Sequence, residues 1–137
     1  MNGLEQIILN RVQCKECKKV LTSYHRHDYK TCGCENETMV DGGNEYQRYG
    51  GADLDLVDTS STIYLSDDHE MNRSAAHWGN RGKDGRDPLS YKSIADMSNA
   101  HLINIILDME GKIAPWMERI ISEEIEYRRI NNITIDD

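Results

Sequence analysis

Residues 14–34 read CKECKKVLTSYHRHDYKTCGC. This stretch holds all four cysteines of the chain, Cys14, Cys17, Cys32 and Cys34, and two of its five histidines, His25 and His27. The spacing is C-x-x-C, then fourteen residues, then C-x-C. Two close cysteine pairs separated by a loop suit a tetrahedral Zn2+ site, with each pair presented on a tight turn. Four thiolates fill the shell, so no position stays open for water; such a site holds a fold together and does no chemistry itself. Reduced buried thiols, a redox pair and a mixed His/Cys shell are the alternatives.

The rest of the composition makes a clamp useful. The chain has 137 residues, of which 38 % are apolar and 7 % aromatic, with no Phe. That is a thin core for the length, and a metal cross-link offsets it. The net charge of −8 argues against a broad, nonspecific grip on nucleic-acid phosphates. No apolar run is long enough to cross a bilayer, and MNGLEQIILNR has neither a basic start nor a cleavage site. The expectation is a cytoplasmic protein without a membrane partner. In that compartment thiols stay reduced, which favours metal ligands over disulfides.

The fold class expected is α+β. Residues 1–50 are charge-neutral and read as a small zinc-ribbon-like β module, with strands in ILNRVQC, KVLTSYH and ETMV and a turn at Asp41-Gly42-Gly43. Residues 51–92 read as an acidic segment followed by a Gly/Arg-rich loop. From Asp53 to Glu70 there are six acidic side chains and no basic one, with one strand expected in STIYL; residues 73–92 read as loop. Residues 93–137 read as a helical hairpin and a frayed tail. Ser98 is a good N-cap for a helix carrying Leu102, Ile105, Ile106 and Met109, with Gly111 as the stop. Pro115 suits the first turn of a second helix carrying Met117, Ile121 and Ile125. The short connection predicts an antiparallel pair, and apolar residues on both faces, among them Met109, Trp116 and Ile130, leave room for a homodimer.

Two motifs outside the cysteines bear on chemistry. His25-Arg26-His27-Asp28 sits between the cysteine pairs. In a strand, His25 and His27 share a face, and beside Asp28 they suit an alternative metal ligand set or a base with its orienter. The plainer reading is a hydrogen-bonding role around the zinc. The second motif is His77-Trp78-Gly79-Asn80-Arg81-Gly82-Lys83-Asp84-Gly85-Arg86. Trp78 offers a stacking face, and Arg81, Lys83 and Arg86 suit contact with a partner or with phosphate. The spacing matches neither a P-loop nor a dinucleotide fingerprint.

The run Cys14, Cys17, His25–Tyr29, Cys32, Cys34, Val40–Gly43, Tyr46 and Arg48 resembles a widespread small domain of tailed-phage proteins that carries no assigned activity. The runs from Trp78 to Leu89 and from Asp96 to Ile105 are similar to the segment C-terminal to that domain in such proteins. The resemblance implies a phage protein made in the cytoplasm of an infected bacterium, where small phage proteins modulate host machinery or block host defences. The leading expectation is therefore an accessory protein, zinc-stabilised and without a catalytic constellation, that binds and modulates or inhibits a host protein, such as a defence factor. Its acidic surface suits the basic grooves of nucleic-acid enzymes. The alternatives are a metal-dependent nuclease using His25, His27, Asp28 and His77, a nucleic-acid-binding zinc ribbon using the six Lys/Arg of residues 11–30 with Tyr24 and Tyr29, and a protein that sequesters a small nucleotide signal at the Trp78 loop.

Overall fold

The computed structural model describes residues 6–66, 68–81, 85–109 and 111–136. The fold is α+β, with antiparallel sheets first and the long helices last. It divides into two compact units, Met1–Leu65 and Ser66–Asp137.

Strand β1 (Ile7–Cys14) organises the first unit. Side chains alternate across a strand. Ile8, Asn10, Val12 and Cys14 therefore share one face, and all four are fully buried. Along one edge β1 pairs antiparallel with β2 (Val20–Ser23); the other edge takes β6 (Val57–Asp58) and, past an irregularity between Ile7 and Leu9, β7 (Ile63–Tyr64). A second antiparallel sheet is built from β3 (Lys30–Thr31), β4 (Met39–Asp41) and β5 (Arg48–Gly50). Val12, Leu21, Val40 and Val57 form the small core, with Cys32 packed against it.

Three side chains of the acidic run are spent on local backbone. Asp53 accepts from the N–H of Asp55, Asp58 from the N–H and hydroxyl of Ser60, and Asp68 from the N–H of Glu70. Short acidic side chains at turn and helix starts satisfy N–H groups that have no backbone partner.

The second unit contains α1 (His69–Ala75), a hairpin of β8 (His77–Asn80) and β9 (Ser90–Ser93), α2 (Asn99–Asp108) and α3 (Pro115–Asn131). Residues 73–92 are therefore not one loop. The glycines and charges that suggest a loop mostly fall in the connection 81–89, whereas HWGN and SYKS pair in register from His77↔Ser93 to Asn80↔Ser90. The helices begin as expected: Ser98 accepts from the N–H of His101, and Pro115 opens α3. The tail is pinned and not frayed. Asn132 ends α3 in the left-handed conformation, the Ile133 N–H reaches the Arg128 carbonyl, and Asn99 exchanges bonds with Ile135 through its own N–H and its side-chain oxygen.

Apolar packing alone does not hold this unit together. Glu124 on α3 is fully buried. Its carboxylate accepts from Arg73 Nε and Nη2 at 2.7 and 2.9 Å, from Arg128 Nε at 2.7 Å, and faces His69 Nε2 at 2.9 Å. Arg128, also buried, spends its remaining donors on the Asn99 side chain and the Ile94 and Ala95 carbonyls. One carboxylate thus joins α1, α3, the 94–96 turn and the start of α2. Burial by itself would raise the Glu124 pKa, but the hydrogen bonds from Arg73, Arg128 and His69 outweigh it and hold it at about 2.

Two outcomes are expected for stability. Glu124→Gln leaves Arg73 and Arg128 without their anion and is expected to cost about 3–5 kcal/mol in urea unfolding. Because the folded carboxyl lies below its unfolded value, its contribution is complete above the ordinary glutamate range and is lost as pH falls from there towards about 2. Melting temperatures of the parent should therefore drop across that window, and those of Glu124→Gln should drop less.

Candidate metal centre

Two turns bring the four sulfurs together. The first begins where β1 ends. The Lys18 N–H reaches back to the Cys14 carbonyl at 2.8 Å, and Lys18 adopts a positive φ of 69° to close the turn. The second lies between β3 and β4. Gly33, at φ 77°, separates its two cysteines, the Cys32 N–H bonds to the Thr38 carbonyl, and the Glu37 N–H bonds to the Cys34 carbonyl. The Asn36 side chain braces this turn, donating to the Thr38 hydroxyl and accepting from the Asp53 N–H.

All four Sγ atoms lie within 4.8 Å of one another. Cys14 and Cys34 are 3.6 Å apart, and Cys32 and Cys34 3.3 Å. Four sulfurs at about 2.3 Å around a tetrahedral zinc stand about 3.8 Å apart. The donor set and spacing therefore fit a metal ion bound by thiolates. Cys14 is fully buried and Cys17 exposed, so the cluster runs from the core of the unit to its surface. The sulfurs are unequal. The Cys17 N–H and the Thr38 hydroxyl lower the Cys14 pKa to about 6, whereas the contact with Cys32 pushes Cys34 up to about 12.

The His25-Arg26-His27-Asp28 run lies in a turn and not in a strand, so His25 and His27 do not share a strand face. The turn is built by its last residue. Asp28 accepts from the Tyr24 N–H and pairs with Lys30 at 2.8 Å. Although burial opposes it, Lys30 and the Tyr24 N–H lower the Asp28 pKa. His27 takes φ 63°, and its Nδ1 meets the Tyr46 hydroxyl at 3.1 Å; His25 Nδ1 meets the Arg26 carbonyl at 3.0 Å, with its Nε2 3.9 Å from Asp28. Among the described residues, the cysteines are the one group of three or more His, Cys, Asp or Glu close enough to share a metal.

The turn at 41–43 is fitted to this one. Ser23 Oγ donates to the Asp28 carbonyl and accepts from the Gly43 N–H. A Cβ on Gly43 would stand 2.4 Å from the His25 backbone, and one on Gly42 would stand 2.0 Å from the Tyr46 carbonyl oxygen. Asn10, buried in β1, completes the lock. Its amide donates towards the carbonyls of Asp41, Gly43 and Tyr46 and accepts from Gln47. Sequence reasoning missed Asn10 and Thr38. A lone Asn at an inward position of an apolar strand was the available signal for the first, and Thr38 carried none.

Trp78 and Arg81 lie on or beside β8, Trp78 half-buried and Arg81 exposed, and Arg86 is exposed in the connection to β9. Lys83 lies outside the described residues. His77, a candidate for nuclease chemistry by sequence, is buried against the Tyr91 ring.

Residues 6–51 match a family model described as a domain of unknown function (DUF7695). The match covers both cysteine turns and the Asp41–Gly43 turn, and it ends before β6. No curated protein and no solved structure matches the chain.

If the four thiolates hold a zinc ion, treating the purified protein with a zinc chelator should unfold the first unit, read as loss of strand signal in far-ultraviolet circular dichroism and restored by adding zinc. Gly43→Ala should cost about 2 kcal/mol or more in urea unfolding, whether or not zinc is supplied. It combines a left-handed backbone with a side chain driven into His25.

Proposed function

We propose that the chain is a zinc-clamped phage accessory protein that works in the host cytoplasm by binding and modulating a host protein. The family resemblance of the cysteine and Asp-Gly-Gly motifs supports the phage assignment. The observation that carries the binding reading is the apolar surface of the helical pair. Leu107 is 69 % exposed, Ile130 63 % and Ile103 45 %. Ile103 also borders a cleft of about 350 Å3 floored by Leu102, Ile125 and Ile133 and edged by Arg129 and Asn132. Of the three, Ile103 lines that cleft, and an apolar cleft with exposed polar side chains beside it suits a protein partner.

The metal centre supports the same reading. A shell of four cysteines takes no substrate. The side chains that suggest nuclease chemistry have structural tasks: Asp28 caps its turn, His27 meets Tyr46, and His77 packs on Tyr91. No described helix is long and apolar enough to cross a membrane.

The test is to express the tagged protein in its bacterial host and purify it after nuclease treatment. One host protein in stoichiometric amount is the expected result, and Leu107→Asp and Ile103→Asp should lose it while keeping the fold. A homodimer of the purified chain that disappears in those variants, with no host protein captured, would replace this reading with self-association.

A further inference from the structure

The β8–β9 hairpin has two unlike faces. Directly opposed residues of an antiparallel pair share a face. His77↔Ser93 and Gly79↔Tyr91 therefore make up one side, and Trp78↔Lys92 and Asn80↔Ser90 the other. The first side is covered at one end, with Gly79 exposed at the other. His77 is buried, its ring meets Tyr91 edge-on at 5.6 Å, and a Cβ on Gly79 would stand 3.3 Å from both Leu89 and Tyr91. The second side has no buried residue. Ser90 and Lys92 are exposed, and Trp78 and Asn80 half-buried. Next to it, the Asp87 N–H bonds to the Arg81 carbonyl at 2.9 Å, which keeps the backbones of Arg81 and Arg86 at the same end of the hairpin.

The charge of this patch runs against its surroundings. Residues 66–137 carry fourteen acidic and nine basic side chains, yet the described hairpin has Arg81, Arg86 and Lys92 against Asp87 alone. Arg73, the nearest preceding cation, is spent on Glu124. An indole beside a lysine, with an amide and a hydroxyl on the same face and two arginines at its end, can stack a base while holding neighbouring phosphates. A duplex hides its base faces, and its broad phosphate surface is disfavoured by the acidic excess of residues 66–137.

We propose that the face formed by Trp78, Asn80, Ser90 and Lys92, extended by Arg81 and Arg86, binds single-stranded nucleic acid. This goes beyond the host-protein reading and is independent of it, because it uses other residues and needs no partner protein.

The test is fluorescence anisotropy of labelled oligo(dT) with the purified, zinc-loaded full chain, titrated at several salt concentrations. Saturable binding at low salt is expected, weaker for the matching duplex. Trp78→Ala should weaken it about tenfold or more, the loss of one stacked base, and Trp78→Phe should restore most of it. Arg81→Gln should lower the slope of log affinity against log salt by about 0.7, the value for one single-strand phosphate contact. Lys92→Gln should act like Arg81→Gln, and both positions are exposed, so these variants decide the matter even if Trp78→Ala does not fold. Absence of saturable binding, equal affinity for duplex, or unchanged binding in Arg81→Gln and Lys92→Gln would each overturn the proposal.

Discussion

Four sulfur atoms must meet, and the first unit is arranged so that they do. Cys14 is the last residue of the central strand, so the cluster starts from the most buried line of the sheet. Cys32 and Cys34 come from the turn between two strands of the other sheet. A single ion held by the four sulfurs would tie two sheets that share only a few core side chains. Strands as short as Lys30–Thr31 gain little from their own ladder and depend on what holds their ends. Positive φ at Lys18 and Glu37, neither of them glycine, is strain accepted where the turns close on the cluster.

The second unit meets the same shortage of apolar material by another route. Its centre is a carboxylate removed from water and held between two guanidinium groups and an imidazole. Such an arrangement contributes little net free energy compared with a well-packed apolar core, but it is unforgiving of partial assembly. Arg128 joins the carboxylate to Asn99, and Asn99 in turn holds the tail, so register passes from α3 to α2 to the end of the chain through side-chain bonds. The two units thus depend on different chemistry, one on four clustered thiols and the other on a buried charge.

How much of this could be read from the residues differs by element. The cysteine spacing, the strands beside it, the Ser98 cap and the Pro115 start are local signals, and local signals survive in a sequence because their partners lie a few positions away. The hairpin was hidden because glycines and charges cluster between its strands and outweigh two four-residue alternations. The Glu124 network could not be read, since His69 and Arg73 lie more than fifty positions from their partner. The tail looked unstructured by composition, and the bonds that order its end come from the distant Asn99. His25 and His27 looked chemical because of their side chains, whereas the turn depends on Asp28 and on the backbone at His27.

The fit between the Asp41–Gly43 turn and the His25 backbone bears on how this molecule can evolve. Two glycines stand where any other residue would collide with main chain, and main chain cannot step aside as a side chain can. Substitution there is blocked by shape, whatever the protein binds and whether or not it binds anything. Descendants that exchange one partner for another would keep the turn unchanged while their helical surfaces and hairpin faces diverge. The most persistent letters of this sequence would then record a backbone crossing, and its task would be written in the letters that are free to change.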